Sequence, residues 1–248
     1  MRVNRLGCSC PRSKRARHMT SRTVSAWVFQ IVMASGVVFL ILSVLAMLLY
    51  PGGRVGDPHS VGYAFFSNFF SDLGQTRTYG GHANVPSLIL FCIALVGAAV
   101  AIALFFASFA GLFQRGTTAR TAANIGSILG ILAAICFVGV AATPWNLYLQ
   151  AHNDFVQWAF RLYLLAVIAA TSATLLTPRF PRNFAVVFGL FALLLAAYIA
   201  VLTFGPTAGT AQGALVQATA QKIIVYASII TIIIQALSVQ RLLRLSSA

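Results

Sequence analysis

The chain has 248 residues, of which 59% are hydrophobic and 8% charged, and its formal net charge is +14. A soluble globular domain carries roughly 25% charged residues, so this composition excludes an ordinary soluble domain and points to an integral membrane protein. Nucleic-acid binding is excluded by where the cations lie. Seven of the seventeen Lys and Arg fall in the first 22 residues and the others scatter to the ends of apolar runs, a pattern of topology signals rather than a binding stripe.

Residues 1–22 read as a basic, disordered cytoplasmic tail. Cys8 and Cys10 lie in it, and Cys92 and Cys136 fall inside apolar runs, so no disulfide framework is expected. No apolar segment precedes Leu6-Gly7-Cys8, which argues against a lipoprotein signal. Cys8-Ser9-Cys10 offers too little for a metal, which takes about four ligands. Met19, followed by Thr20-Ser21-Arg22 and the first apolar run, reads as an alternative start, with residues 1–18 an extension. The other reading is a polybasic patch for anionic lipid.

Six apolar runs follow, at 24–50, 86–113, 121–145, 154–176, 184–204 and 219–240. Each is close to or above the ~20 residues that cross a bilayer as helix. Pro51-Gly52-Gly53 ends the first, Thr177-Pro178 the fourth and Gly205-Pro206 the fifth, where a helix cannot continue. Residues 23–240 are therefore expected to form an all-α polytopic bundle of six transmembrane helices, with 241–248 as a second cytoplasmic tail. Arg115, Arg120, Arg179, Arg182, Arg241 and Arg244 fall on the side of the N-terminal cluster. Arg54 and Arg77 fall on the other, with Arg161 and Lys222 at its margin. The positive-inside rule then places both termini in the cytoplasm, in a plasma membrane, and Asp57, Asp72 and Asp154 outside.

Between the first two runs, helical numbering puts Ser67, Asn68, Ser71, Asp72 and Gln75 opposite Phe65, Phe66, Phe69, Phe70 and Leu73. That predicts a short amphipathic helix at the outer interface, stopped by Gly74. In the third run Gly126, Gly130, Ala133, Ala134 and Gly139 form a small-residue stripe suited to close helix packing within the chain. Asn153 and Asp154 are expected to open the fourth span as a polar cap and early acid. Asp154 and Arg161 share a helix face two turns, ~10 Å, apart. Arg161 therefore needs another anion, and Asp72 is one of the two other candidates in the chain, the second being Asp57. Arg161 lies ~24 Å along the helix from Thr177, and Lys222 ~28 Å from Arg241. Both then sit near the outer edge of a ~30 Å hydrocarbon core.

The segment Phe70-Ser71-Asp72-Leu73-Gly74 after a first span resembles the "SDLG" signature of a six-span family of bacterial and archaeal membrane proteins known as a domain of unknown function. The likeness continues through the small-residue third span, the Thr143-Pro144-Trp145 exit and His152-Asn153. It is similar, more distantly, to the FRAG–DRAM–SFK group of six-span proteins linked to lipid handling and membrane traffic. The resemblance implies a six-span fold and a site at Ser71, Asp72, Gly74, His152 and Asn153. It implies no reaction.

Three functional classes stay open. A metal-dependent hydrolase at the outer face would draw on His82, His152, Asp72 and Asp154, but no paired-ligand spacing such as HExxH is present, and no cofactor or metal is expected. An ion-coupled transporter would place ionisable groups near the midplane, and here the span centres carry only isolated amides such as Gln30 and Asn124. A lipid-binding or partner-binding protein would use Arg161, Lys222 and Trp158 for an anionic headgroup. In a purely structural version, Arg161 and Asp72 only latch the interface helix to the fourth span. The favoured reading is a membrane protein without evident enzymatic machinery that handles lipid at its outer leaflet. Its expected partner is membrane lipid. Protein partners and homo-oligomers stay open.

Overall fold

The computed structural model describes residues 26–247. The expectations for the basic tail, Met19, Cys8 and Cys10 lie outside the described residues. Among the described residues, six α-helices form: α1 (Ala26–Leu48), α2 (Val85–Phe109), α3 (Thr118–Ala142), α4 (Trp145–Leu175), α5 (Arg182–Phe204) and α6 (Ala211–Ser247). All six are long and apolar enough to cross a membrane, so the chain is a multi-pass, all-α membrane protein. Each helix packs on its neighbours in sequence, and α6 returns to α1, which closes a ring. The short connections from α2 onward enforce this up-and-down arrangement.

Helix ends depart from the apolar runs, and the causes are local. α4 begins at Trp145, directly after Pro144, nine residues earlier than hydropathy suggests, and carries a kink at Tyr148 (φ −132°, ψ 53°). His152, Asn153 and Asp154 therefore lie inside α4 and do not cap it. α6 has 37 residues, ~55 Å of helix, because its ends continue as helix through polar sequence that a hydropathy window cannot count. α2 tightens into a 3-10 turn at Ala110–Leu112, a common way for a last turn to end.

The link between α1 and α2 differs most from expectation. Pro51 is followed by a small antiparallel hairpin, β1 (Gly52–Arg54) and β2 (Asp57–Val61). The turn is made by Gly56 at φ 79°, a left-handed conformation that favours glycine. The amphipathic helix expected over the phenylalanine-rich segment is only a 3-10 turn, Phe70–Gly74. Burial does not follow its two sides. Asn68, Asp72 and Gln75 of the polar side are buried, as are Phe70 and Leu73 of the apolar side, whereas Phe65 and Phe66 are exposed at 41% and 59%. Asp72 can lie inward because its own segment and Trp145 of α4 supply hydrogen-bond donors there. Water is not the only place a carboxylate can be satisfied.

The small-residue stripe of α3 is spent within the chain. A Cβ on Gly130 would run into the Phe106 ring of α2, and one on Gly139 into the Phe155 ring of α4. A Cβ on Gly126 would lie 3.2 Å from the Ala166 carbonyl oxygen of α4. Close backbone approach of this kind is what small residues permit between membrane helices. Beside it, α2 and α5 build an aromatic core. Phe105, Phe109 and Phe188 meet at centroid distances of 5.5 to 6.2 Å, and Phe113 stacks on Phe180 at 4.9 Å.

Candidate functional site

The hairpin end of the bundle is organised around one carboxylate. Asp72 is fully buried. Its Oδ2 accepts hydrogen bonds from the Asn68 side-chain amide at 2.9 Å and from the Phe69 backbone N–H at 2.9 Å. Its Oδ1 accepts from the Gln75 amide at 3.2 Å and the Trp145 indole N–H at 3.2 Å. Four donors match the roughly four lone-pair sites of an ionised carboxylate. Burial pushes the Asp72 carboxyl up from its usual value to about 6, against the opposing pull of Asn68, Phe69, Trp145 and the charge of Lys222. Burial, and then the nearby Asp72 charge, raise the Tyr50, Tyr63 and Tyr79 hydroxyls.

The segment bearing Asp72 is clamped from three helices. From α6, Gln221 Oε1 accepts the Phe70 N–H at 2.6 Å, and the Lys222 ammonium donates to the Asn68 carbonyl. From the start of α2, Asn84 Nδ2 donates to the Leu73 and Gln75 carbonyls, both at 3.0 Å, and the Ser87 hydroxyl to that of Leu73 at 3.2 Å. From α4, Asn146 accepts the Thr76 N–H at 3.1 Å and donates to its hydroxyl at 2.8 Å. Only Gln75 Oε1, Asn84 Oδ1 and Thr78 Oγ1 stay buried without a partner in this region.

Lys222 is the cation paired electrostatically with Asp72, and Arg161 is not its partner. The Arg161 guanidinium donates to Gln157 one turn before it on α4. Lys222 is buried and sits 5.2 Å from the Tyr63 ring centroid and 5.4 Å from that of Phe65, within cation–π range. Asp154 accepts from Gln150 at 3.0 Å on the exposed side of α4, and His82 is exposed in the loop before α2. Among the described residues, no three His, Cys, Asp or Glu side chains gather as a metal site would require. His82, His152, Asp72 and Asp154 are thus not brought together.

Beside the Asp72 knot lies a cavity of about 570 Å³. It falls in the range of small-molecule sites, roughly 300–1,000 Å³. Its walls are aromatic and aliphatic, with Trp145, Tyr79, Phe69, Tyr198, Val156 and Leu202 prominent. Ser71, His152 and Asn153 from the sequence reading line it, together with Gln217 and Gln221 of α6. The buried His152 ring meets the Thr143 carbonyl through Nδ1 at 2.7 Å.

Asn68, Gln75, Asn84, Trp145 and Gln221 were not singled out for these roles. The polar spacing of 67–75 was a visible signal for the first two. Trp145 and Gln221 come from helices far along the chain, and no local pattern announces them. In comparisons with family models, with curated proteins and with solved structures, nothing matches this chain.

Proposed function

We propose that this chain is a membrane-embedded binding protein that takes up a lipid or lipid-like amphiphile at its hairpin end. The observation that carries the reading is the cavity of about 570 Å³, mostly apolar with a few convergent polar groups, between the hairpin-end termini of α4, α5 and α6. Such a lining suits a ligand with a greasy body and a small polar head. The charges of Arg115, Arg120, Arg179, Arg182, Arg241 and Arg244 lie at the opposite end of the bundle. This supports a plasma-membrane orientation with the cavity outside and both termini in the cytoplasm. Membership of the six-span family with the SDLG signature is part of the same proposal. Asp72 itself is a structural latch in this reading, because its four acceptor sites are already filled by its own chain.

Native mass spectrometry of the gently purified protein, beside Val156→Trp, tests the proposal. Lipid retained by the wild type and lost from the folded variant is the expected result. The same adducts on both proteins, or none on the wild type after incubation with total membrane lipid, would overturn it.

A further inference from the structure

We infer that the head of the bound amphiphile is uncharged and hydroxyl-bearing, and that His152 and Gln217 accept its hydrogen bonds. This deepens, and rests on, the reading of the cavity as an amphiphile site. Among the described residues, no Asp, Glu, Lys or Arg side chain lines the cavity. An ionic head moved there from water would lose its hydration without a counter-charge, a cost of several kcal/mol per ion. The two nearest formal charges offer no help. Lys222 is buried and directed at the Asn68 carbonyl. Asp72 lies behind Trp145 with its acceptor sites filled, so it repels an anion and has no lone pair left for an ammonium.

Three polar side chains of the lining have a definite sense. Thr143 O can only accept, so His152 Nδ1 carries the proton in that bond, and the neutral ring keeps its lone pair on Nε2. The Gln217 amide N–H₂ donates to the Pro206 carbonyl at 2.6 Å, which fixes the amide flip and leaves Oε1 as acceptor. Gln221 is the converse. Its Oε1 is taken by the Phe70 N–H, leaving the N–H₂ to donate. These two acceptors and one donor stand with the Ser71, Tyr79 and Tyr198 hydroxyls and the Asn153 amide, which can each donate and accept, so the lining complements an uncharged group that does both. A glycerol-like pair of hydroxyls meets that description, and an ammonium or phosphate, left without a counter-charge, does not.

The test uses quenching of Trp145, which lines the cavity. Trp27 and Trp158 are exposed, so Trp27→Phe and Trp158→Phe leave Trp145 as the sole reporter in reconstituted protein. The probes are a dibrominated monostearoyl glycerol and the same lipid carrying a phosphate on its glycerol. The uncharged probe is expected to quench saturably, with the phosphorylated probe at least about tenfold weaker. His152→Phe should weaken the uncharged probe about tenfold, the equivalent of one hydrogen bond to a buried group. Gln217→Leu should act in the same direction and stands in if the histidine variant does not fold. Free glycerol is expected not to displace the probe. Equal or tighter binding of the phosphorylated probe, or unchanged affinity in the folded variants, would overturn the assignment of the head while the cavity reading stands. Displacement by glycerol alone would overturn the requirement for a chain. Quenching by neither probe beyond that of a brominated bulk phosphatidylcholine would overturn both readings.

Discussion

The two ends of this bundle are held together by opposite means. At one end, rings from α2, α5 and the segment before α5 interlock, and cations cap helix carbonyls: Arg120 donates to Ala110 and Phe113, and Arg179 to Leu112 at 3.2 Å. At the hairpin end, a loop built around one buried acid is tied to three helices through hydrogen bonds, most of them to its backbone. The aromatic end degrades gradually, because each ring shares its contacts with several others. The hairpin end is a single network, and in a low-dielectric setting an incompletely satisfied network is worse than none.

The largest expected effect is Asp72→Ala. It orphans four donors and leaves Lys222 uncompensated, at a cost of about 4 kcal/mol by analogy with a broken buried pair. Thermal unfolding in detergent should show it, with a shift of Trp145 fluorescence already in the folded state. If the protein melts normally, the network is not what holds this end. Phe109→Ala comes next, at about 3 kcal/mol for a deleted core ring, and it should leave the Trp145 spectrum unchanged. A Trp145 response there would dissolve the separation between the two ends.

A smaller effect separates the ends by pH. The folded Asp72 pKa of about 6 lies above its ordinary 3.8, so the folded state holds its proton more tightly than the unfolded one. The sign follows: the contribution is complete below pH about 4 and is lost as pH rises to about 6. Melting temperature should therefore decline across that window and level off above it. Tyr50, Tyr63 and Tyr79 titrate far above this range and do not contribute. Asp72→Asn should flatten the profile in melts from pH 4 to 7, and Phe109→Ala should preserve it. Smallest of all is Arg54→Ala. The Arg54–Asp57 pair, at 3.2 Å, has both side chains more than a third exposed, so its removal should change stability by less than about 0.5 kcal/mol in the same assay.

The bundle itself was legible in the chain. Six runs of apolar residues become six helices because a bilayer-spanning backbone must satisfy its own hydrogen bonds. The stripe Gly126, Gly130 and Gly139 announced a close seam for the same kind of reason, a local pattern with one physical use. The site was only half legible. Asp72, His152 and Asn153 could be picked out as polar residues in apolar company. Their partners could not, because Lys222 rather than Arg161 faces the acid through a fold in which residues about 150 apart become neighbours. The phenylalanine segment is a short 3-10 turn and not the amphipathic helix its spacing suggests, and amphipathic spacing does not say which side faces water. Trp145 was assigned to the end of the third run because hydropathy does not see that Pro144 starts a new helix.

The tie between the loop and α6 also sets an order of events during synthesis. Phe70 bonds to Gln221 and Asn68 to Lys222 across separations of 151 and 154 residues. At about 5–20 residues per second, the loop is complete roughly seven to thirty seconds before the helix that locks it emerges. Throughout that interval Asp72 lacks its balancing cation, and the segment is held by its contacts with α1, α2, α4 and the hairpin. The last helix is therefore the clasp of the assembly, and a chain stopped short of Gln221 would present an open loop to proteases while its first five spans were already in place. Limited proteolysis of chains truncated just before and just after Lys222 would show whether the loop closes at that residue.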